Sequence, residues 1–317
     1  MRKIGIIYGM ENTFPSALVD CINSKNVPDV QAEHIHIGGI KMAHPSGYRV
    51  IIDRISQDVE FYRAYLKNAV LGGTIVINNP FWWSADDKFF NYALASQIGI
   101  AVPNTVILPS KALPPGTTSQ SMRNLLFPLN WDEVFDYIKF PAFLKPFSGG
   151  GWKHVYKVHS PEELFAAYDE TGTLCMTLQS SVEFDDYFRC YVVGQEKVRV
   201  MKYDPKQPHH LRYVKDSDPT THSLYPRVVH DSIKLCKALG YDLNTVEFAV
   251  QDGIPYAIDF LNPAPDADVH SVGQDNFDWV VENVAEMAIE KALSEERPQT
   301  QYEWGHFLNG ERKAAAQ

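Results

Sequence analysis

Short apolar strands alternate with amphipathic stretches across the first hundred residues, and that alternation constrains the fold more than any other feature of this chain. KIGIIYG, AEHIHIGG, YRVIIDRI and TIVINNP read as strands, with SALVDCINSK and FYRAYLKNAVLGG as helices among them. Such an order implies a parallel sheet covered by helices. SADDKFFNYALASQIG follows, with a capping signature in Ser84 and Asp87, apolar residues at helical spacing, and Gly99 to close it. The stretch Ser110 to Asn130 is rich in Pro, Ser, Thr and Gly and reads as a long connection with a lobe boundary near it. Two strands joined by a glycine loop come next (FPAFLKPFSGGGWKHVYKV). SPEELFAAYDETG is then a helix with Ser160 as cap, Glu163 in the capping box and Gly172 at its end. The strand TLCMTLQSS, the hairpin YFRCYVVGQEKVRVMKY, the helix RVVHDSIKLCKALG, a second hairpin VEFAVQDGIPYAIDFL and a closing helix FDWVVENVAEMAIEKAL complete the pattern. The expected class is α/β, with a second half of α+β character.

With 317 residues and 45% hydrophobic content, the chain is long enough for about two domains and is not a disordered one. No run approaches the roughly 18 apolar residues of a membrane span. The opening MRKIGIIYGMENTF reads as a first strand, so a soluble, cytoplasmic protein is expected. A net charge of −10 disfavours a broad basic surface, and nucleic acid is a poor partner. Cys21, Cys175, Cys190 and Cys236 have no metal spacing and read as reduced thiols. An amino-terminal domain rich in Trp and Tyr offers a face that a second copy could cover.

Three places carry chemistry. In KPFSGGGWKHV, three glycines between strands let backbone N–H groups approach an anion, with Lys145, Lys153 and His154 beside them. Taken alone, that loop reads equally well as a hairpin tip. In VEFAVQDGIPYAIDFL the large apolar residues are all even-numbered, so a three-residue loop Gln251-Asp252-Gly253 would keep them on one core face. Glu247 then falls opposite Ala257, with Asp259 its diagonal neighbour about 7–8 Å away. With Asn262 just beyond, two acids and an amide form the incomplete oxygen set that Mg2+ accepts when phosphates supply the rest. In the first hairpin, Arg189 and Arg199 reach a cleft or a sheet surface. Lys88 stands in a first helical turn, where a cation costs about 0.3–1 kcal/mol against the macrodipole. It either offsets Asp86 and Asp87 or serves a phosphate. No Ser/His/Asp or Cys/His arrangement is present to support nucleophilic hydrolysis.

The run of ADDKFF, PAFLKPFSGGGW, FRCYVVG, VEFAV and AIDFLNPAP resembles the ATP-grasp superfamily, nearest to the alpha-L-glutamate ligases and related carboxylate–amine ligases. The resemblance spans residues 1–295 and includes DRIS and FYRAYLKN of the domain that precedes the grasp. It implies an amino-terminal domain over 1–105, a small lobe over 106–180, a large lobe over 181–300, and a polar tail over 301–317. By resemblance, Lys88 and Lys145 contact phosphate, and Ser148, Gly149, Gly150 and Gly151 close over the triphosphate. The segment Gln179, Ser180, Ser181 and Val182 forms the hinge that holds adenine, and Glu183 or Asp186 takes the ribose. Arg189, Arg199 and Lys202 face phosphate or acyl oxygens, and Glu247, Asp259 and Asn262 bind magnesium. Two features depart from the family pattern. Asp259 and Asn262 are separated by two residues where Glu, one residue, Asn is usual, and Gln179 stands where an acid is common. The activity implied uses ATP and Mg2+ to convert a carboxylate into an acyl phosphate that an amine attacks, on amino-acid or peptide substrates. The alternatives are another enzyme of this fold with a non-amine acceptor, or a non-catalytic ATP-binding module.

Overall fold

A computed structural model of the protein describes residues 1–149, 153–208, 211–214 and 218–308. The chain forms two compact units, one of Met1–Asp86, Asp185–Ala249 and the residues from Ala257 onward, the other of Asp87–Phe184 with Val250–Tyr256. The connection Ser110 to Asn130 therefore lies inside the second unit, and the chain passes between units at Asp86–Asp87, Phe184–Asp185, Ala249–Val250 and Tyr256–Ala257.

The first unit opens with the parallel sheet that the alternation predicts. Its strands β1 (Arg2–Tyr8), β2 (Val30–His34), β3 (Val50–Arg54) and β4 (Ile75–Ile77) stand in the order β2-β1-β3-β4, every pair parallel. Both faces are covered, which is why every residue of β3 is buried rather than alternate ones. Ile4, Ile6, Val50 and Ile52 pack with α1 (Phe14–Ser24), while Ile7, Ile51 and Val76 meet α2 (Glu60–Leu71). Gly5 is required between these layers, since a Cβ there would stand 2.4 Å from the Ile35 Cδ1. The short helix α3 (Pro80–Trp83) closes this portion.

The second unit holds α4 (Lys88–Gln97), β5 (Thr105–Leu108), α5 (Trp131–Ile138), β6 (Ala142–Pro146), β7 (Tyr156–Val158), α6 (Pro161–Asp169) and β8 (Met176–Ser180). Its four strands form an antiparallel sheet in the order β5-β8-β6-β7. Ser160 caps α6 as expected, accepting from the Glu163 N–H, though the Glu163 carboxylate reaches back to the His159 N–H. At α4 the cap is Asp87 alone, whose Oδ1 accepts from the Phe90 N–H at 2.7 Å. Ser84 instead ends α3. Asp87→Ala is expected to lower stability by about 1 kcal/mol, measurable by chemical denaturation, because one of the first-turn N–H groups loses its acceptor.

The chain re-enters the first unit with β9 (Asp186–Val193), β10 (Lys197–Lys202), α7 (Tyr225–Leu239), β11 (Leu243–Gln251) and β12 (Ile254–Asp259), giving a sheet in the order β10-β9-β11-β12. Then α8 (Val269–Val272) leads into α9 (Gln274–Leu293). One buried cluster joins the α9 residues Val280, Val284 and Ala288 to Ile4 and Ile6 of the parallel sheet and to Tyr191 and Met201 of the other. A helix covered by sheets on two sides explains the small residues Ala285, Ala288 and Ala292, all fully buried.

The second hairpin corrects one expectation. Its loop is Asp252-Gly253, two residues, both at positive φ (53° and 73°), and Gln251 belongs to β11. A two-residue loop pairs odd positions with even ones, so the faces of the two strands cannot both be even-numbered. Accordingly Val246, Phe248 and Val250 are buried in β11, but Pro255 and Ala257 are buried in β12 while Ile254 is exposed. Glu247 is thus not opposite Ala257. No helix among the described residues is long and apolar enough to cross a membrane.

Candidate functional site

In the second unit the sheet aims a lysine. Lys145 pairs with Thr177 across β6 and β8, while Phe143 pairs with Gln179, so Lys145 and Gln179 are diagonal neighbours on one face. The Lys145 ammonium donates to the Gln179 Oε1 and the Tyr92 hydroxyl, both at 2.8 Å, and lies 5.0 Å over the Tyr92 ring. Gln179 is itself buried and donates to the Thr105 hydroxyl at 2.8 Å. Its side chain is committed on both ends, which makes it a support for Lys145 rather than a ligand of its own. The backbone N–H of Lys88, at the start of α4, donates to the Phe147 carbonyl at 2.8 Å, tying that helix to the entry of the glycine loop. Ser148 and Gly149 are exposed there, with Gly149 at φ +84° and open space around it. Gly150 and Gly151 lie outside the described residues.

At the end of β8 and just beyond it, the Ser180 and Ser181 N–H groups are taken by the Asn104 and Pro141 carbonyls, each at 2.9 Å, and the Glu183 N–H by the Gln251 side chain. Val182 makes no hydrogen bond among the described residues, which leaves its N–H as the donor available to a base. Glu183 is exposed and sits 3.4 Å from Lys157.

In the first unit the candidates do not all converge. Asp186 pairs with Lys202 at 2.8 Å and with His222 at 3.2 Å, so a ribose acid and a cation proposed for phosphate or acyl oxygens hold each other. Burial would raise the Asp186 carboxyl, yet Lys202 and His222 hold it below its ordinary value of 3.8. A carboxyl lowered in the folded state adds stability above the ordinary value and loses it as pH falls through the folded one. Asp186→Asn should therefore lower the melting temperature at pH 7, and the difference should close below about pH 4. Arg199 also turns elsewhere, its Nε donating to the Asn276 Oδ1 on α9 at 3.0 Å.

Arg189 and Glu247 do converge, whereas Asp259, at the end of β12, has the parity of Pro255 and Ala257. Arg189 reaches the Glu247 Oε1 at 3.3 Å and stacks over the Tyr203 and Tyr213 rings at 5.4 and 5.9 Å. Burial opposes its charge, and Glu247 together with Tyr213, Tyr203 and Tyr191 more than offsets that, so the guanidinium stays ionised. The Tyr187 hydroxyl donates to the other Glu247 oxygen at 2.5 Å. Burial, then the charge and hydrogen bond of Glu247 and the charge of Asp259, push the Tyr187 phenol well above its ordinary range. Asn262 donates through Nδ2 to the Thr245 carbonyl at 3.0 Å, which leaves its Oδ1 as an acceptor. No group of three His, Cys, Asp or Glu among the described residues could hold a metal unaided. Sequence reasoning passed over Tyr187, although period-2 alternation puts it on the Arg189 face, and over Tyr92, one turn from Lys88.

No protein-family model and no curated protein matches the chain. Solved structures do. A RimK-domain ATP-grasp protein from Sphaerobacter thermophilus aligns at 15% identity over 90% of this chain and 99% of that one, with a TM-score of 0.62. The D-alanine–D-alanine ligase of Bacillus anthracis, complexed with ATP, aligns at 18% identity over 92% and 98%, also at 0.62. A RiPP-associated ATP-grasp ligase from Chryseobacterium gregarium, in complex with ADP and a leader and core peptide, aligns at 15% identity over 92% and 97%, at 0.61. Similarity of this extent at such low identity is a matter of architecture, and the architecture of this protein is the ATP-grasp fold.

Proposed function

We propose that the protein is an ATP-dependent carboxylate–amine ligase that activates a carboxylate as an acyl phosphate, joins it to an amine, and releases ADP and phosphate. The observation that carries this reading is Glu247, held on a largely buried sheet face between the Tyr187 hydroxyl and the Arg189 guanidinium. Taking such charges out of water costs several kcal/mol per ion, which a merely structural sheet face has no reason to incur. The fold supports it too, since the Bacillus ligase holds ATP and the Chryseobacterium ligase holds ADP and peptides. Amino acids or peptides are the substrate class we propose.

Lys145, steadied by Gln179 and Tyr92, would neutralise phosphate charge together with Lys88. Ser148 to Gly151 would cover the transferred phosphoryl group and exclude water. The Val182 N–H would meet adenine. Glu183 would take the ribose, Asp186 being committed to Lys202. Arg189 would stabilise the oxyanion formed when the amine attacks, while Arg199 and Lys202 would serve acyl or phosphate oxygens only on leaving their present partners. Magnesium, when held by Glu247, Asp259 and Asn262, would orient and neutralise the triphosphate. With Mg-ATP and pooled organic acids, amino acids and short peptides, the protein should release ADP and phosphate only when both a carboxylate and an amine are present. Release of AMP and pyrophosphate would contradict this chemistry. ATP binding without turnover would favour a second reading, a non-catalytic nucleotide-binding module, which is supported by the engagement of both Glu247 oxygens and by the altered Asp259/Asn262 spacing.

A further inference from the structure

The stretch of the first unit that follows β12 is held by side chains. β12 ends at Asp259. Counted from the Asp252-Gly253 turn, Asn244 of β11 falls opposite Leu261, beyond that end. Asn244 is fully buried, on the core face that it shares by parity with Val246 and Phe248. Its amide brackets Leu261: Nδ2 donates to the Phe260 carbonyl at 2.9 Å, and Oδ1 accepts from the Asn262 N–H at 3.3 Å. Asn262 answers with its own side chain, Nδ2 donating to the Thr245 carbonyl at 3.0 Å. One residue further, the Pro263 carbonyl accepts from the Asn78 Nδ2 at 2.9 Å, and the same Asn78 amide bonds both backbone groups of Leu243, where β11 begins.

An amide buried in an apolar core is costly unless its donor and acceptor are both met. An apolar side chain of the same shape would fill this position in the core equally well. What the amide alone supplies is a fixed place for the Phe260 carbonyl and the Asn262 N–H. Phe260 and Leu261 separate Asp259 from Asn262, and a chain of that length, unfastened, could set the Asn262 side chain in more than one place. Fastened, that side chain lies along β11 at Thr245, two residues and about 6.5–7 Å from Glu247 on the same strand. We propose that Asn244 is a positioning residue, which fixes Asn262 so that its Oδ1 is presented to the magnesium triphosphate. The inference rests on the ligase reading, which sets Asn262 at that group, and it gives Asn244 a role that needs no contact with substrate.

The test is a double-mutant cycle read by binding, without turnover. Affinity of the whole chain for the non-hydrolysable ATP analogue AMPPNP would be measured in magnesium and in EDTA, and the ratio of the two dissociation constants taken as the magnesium advantage. Asn262→Ala should cut that advantage about 10-fold, as loss of one bond to a charged group implies. Asn244→Ala should cut it by a similar factor, while its affinity in EDTA stays that of the parent. Because the two residues act as one unit, the double variant should lose no more than either single one. Asn244→Ser, smaller but still polar, has one oxygen that cannot span both groups, and it repeats the comparison if Asn244→Ala does not fold. A parent without a magnesium advantage, an Asn244 variant that keeps the parent's advantage, or a double variant whose losses multiply would each overturn the proposal. ADP release by a protein whose magnesium advantage ignores Asn244 removes this inference and leaves the ligase reading. A magnesium advantage that needs Asn244, in a protein that never consumes ATP with any acid and amine, does the reverse.

Discussion

Glu247→Ala should destabilise the protein by about 3–5 kcal/mol, the loss expected when one partner of a buried ion pair is removed and its counterpart is left behind. The side chains of Glu247 and Arg189 are only 15% and 12% exposed, so water cannot take over for the missing carboxylate. Among the described residues the Arg189 Nε lacks a partner, and the bond from Nη2 to the Thr245 hydroxyl is long at 3.5 Å. Tyr187 loses its acceptor as well. Urea denaturation of the parent, of Glu247→Ala and of the double variant with Arg189→Met separates these effects. The double variant should recover much of the loss, because a matched pair of apolar groups avoids the uncompensated charge. A single variant within about 1 kcal/mol of the parent would mean that Arg189 reaches solvent.

The second large effect falls on activity. Lys145→Ala should lower ADP formation by at least about 10²–10³-fold, the cost of removing a preorganised cation from developing phosphate charge. Asp259→Ala should abolish it likewise through the metal. Both variants should remain folded, and circular dichroism would check that. Gln179→Ala is the informative companion to Lys145→Ala. The Gln179 side chain touches Lys145 and Thr105, so its loss should act through the position of the lysine and weaken activity less than loss of the lysine itself. Full ADP formation in Lys145→Ala would remove that residue from the site.

The elements were legible wherever local signals agreed. Apolar alternation and caps marked β1, β3, α6 and α7, and Gly240 ends α7 at φ +74° as a left-handed glycine should. The hairpin parity of Arg189, Tyr191 and Val193 is also as read, with Met201 opposite Arg189 and Arg199 opposite Tyr191. The second hairpin was misread because its Asp-Gly pair is a two-residue turn signal, and the wish for one even-numbered core face outweighed it. Period-2 alternation tells which side chains share a face and says nothing of what covers it. That Arg189 is sealed beneath Tyr203 and Tyr213, while Arg199 turns to α9, depends on segments remote in sequence. Asn78 was hidden for the same reason: its partners Leu243 and Pro263 come from the far half of the chain.

Hydroxylamine trapping tests the central claim most directly. The protein would be incubated with Mg-ATP, hydroxylamine and individual carboxylic acids, and hydroxamate and ADP measured together. An acyl phosphate formed at the site predicts a hydroxamate of one acid, or of one class of acids, in step with ADP. ATP bound by the protein with no hydroxamate from any amino acid, peptide or organic acid would contradict it.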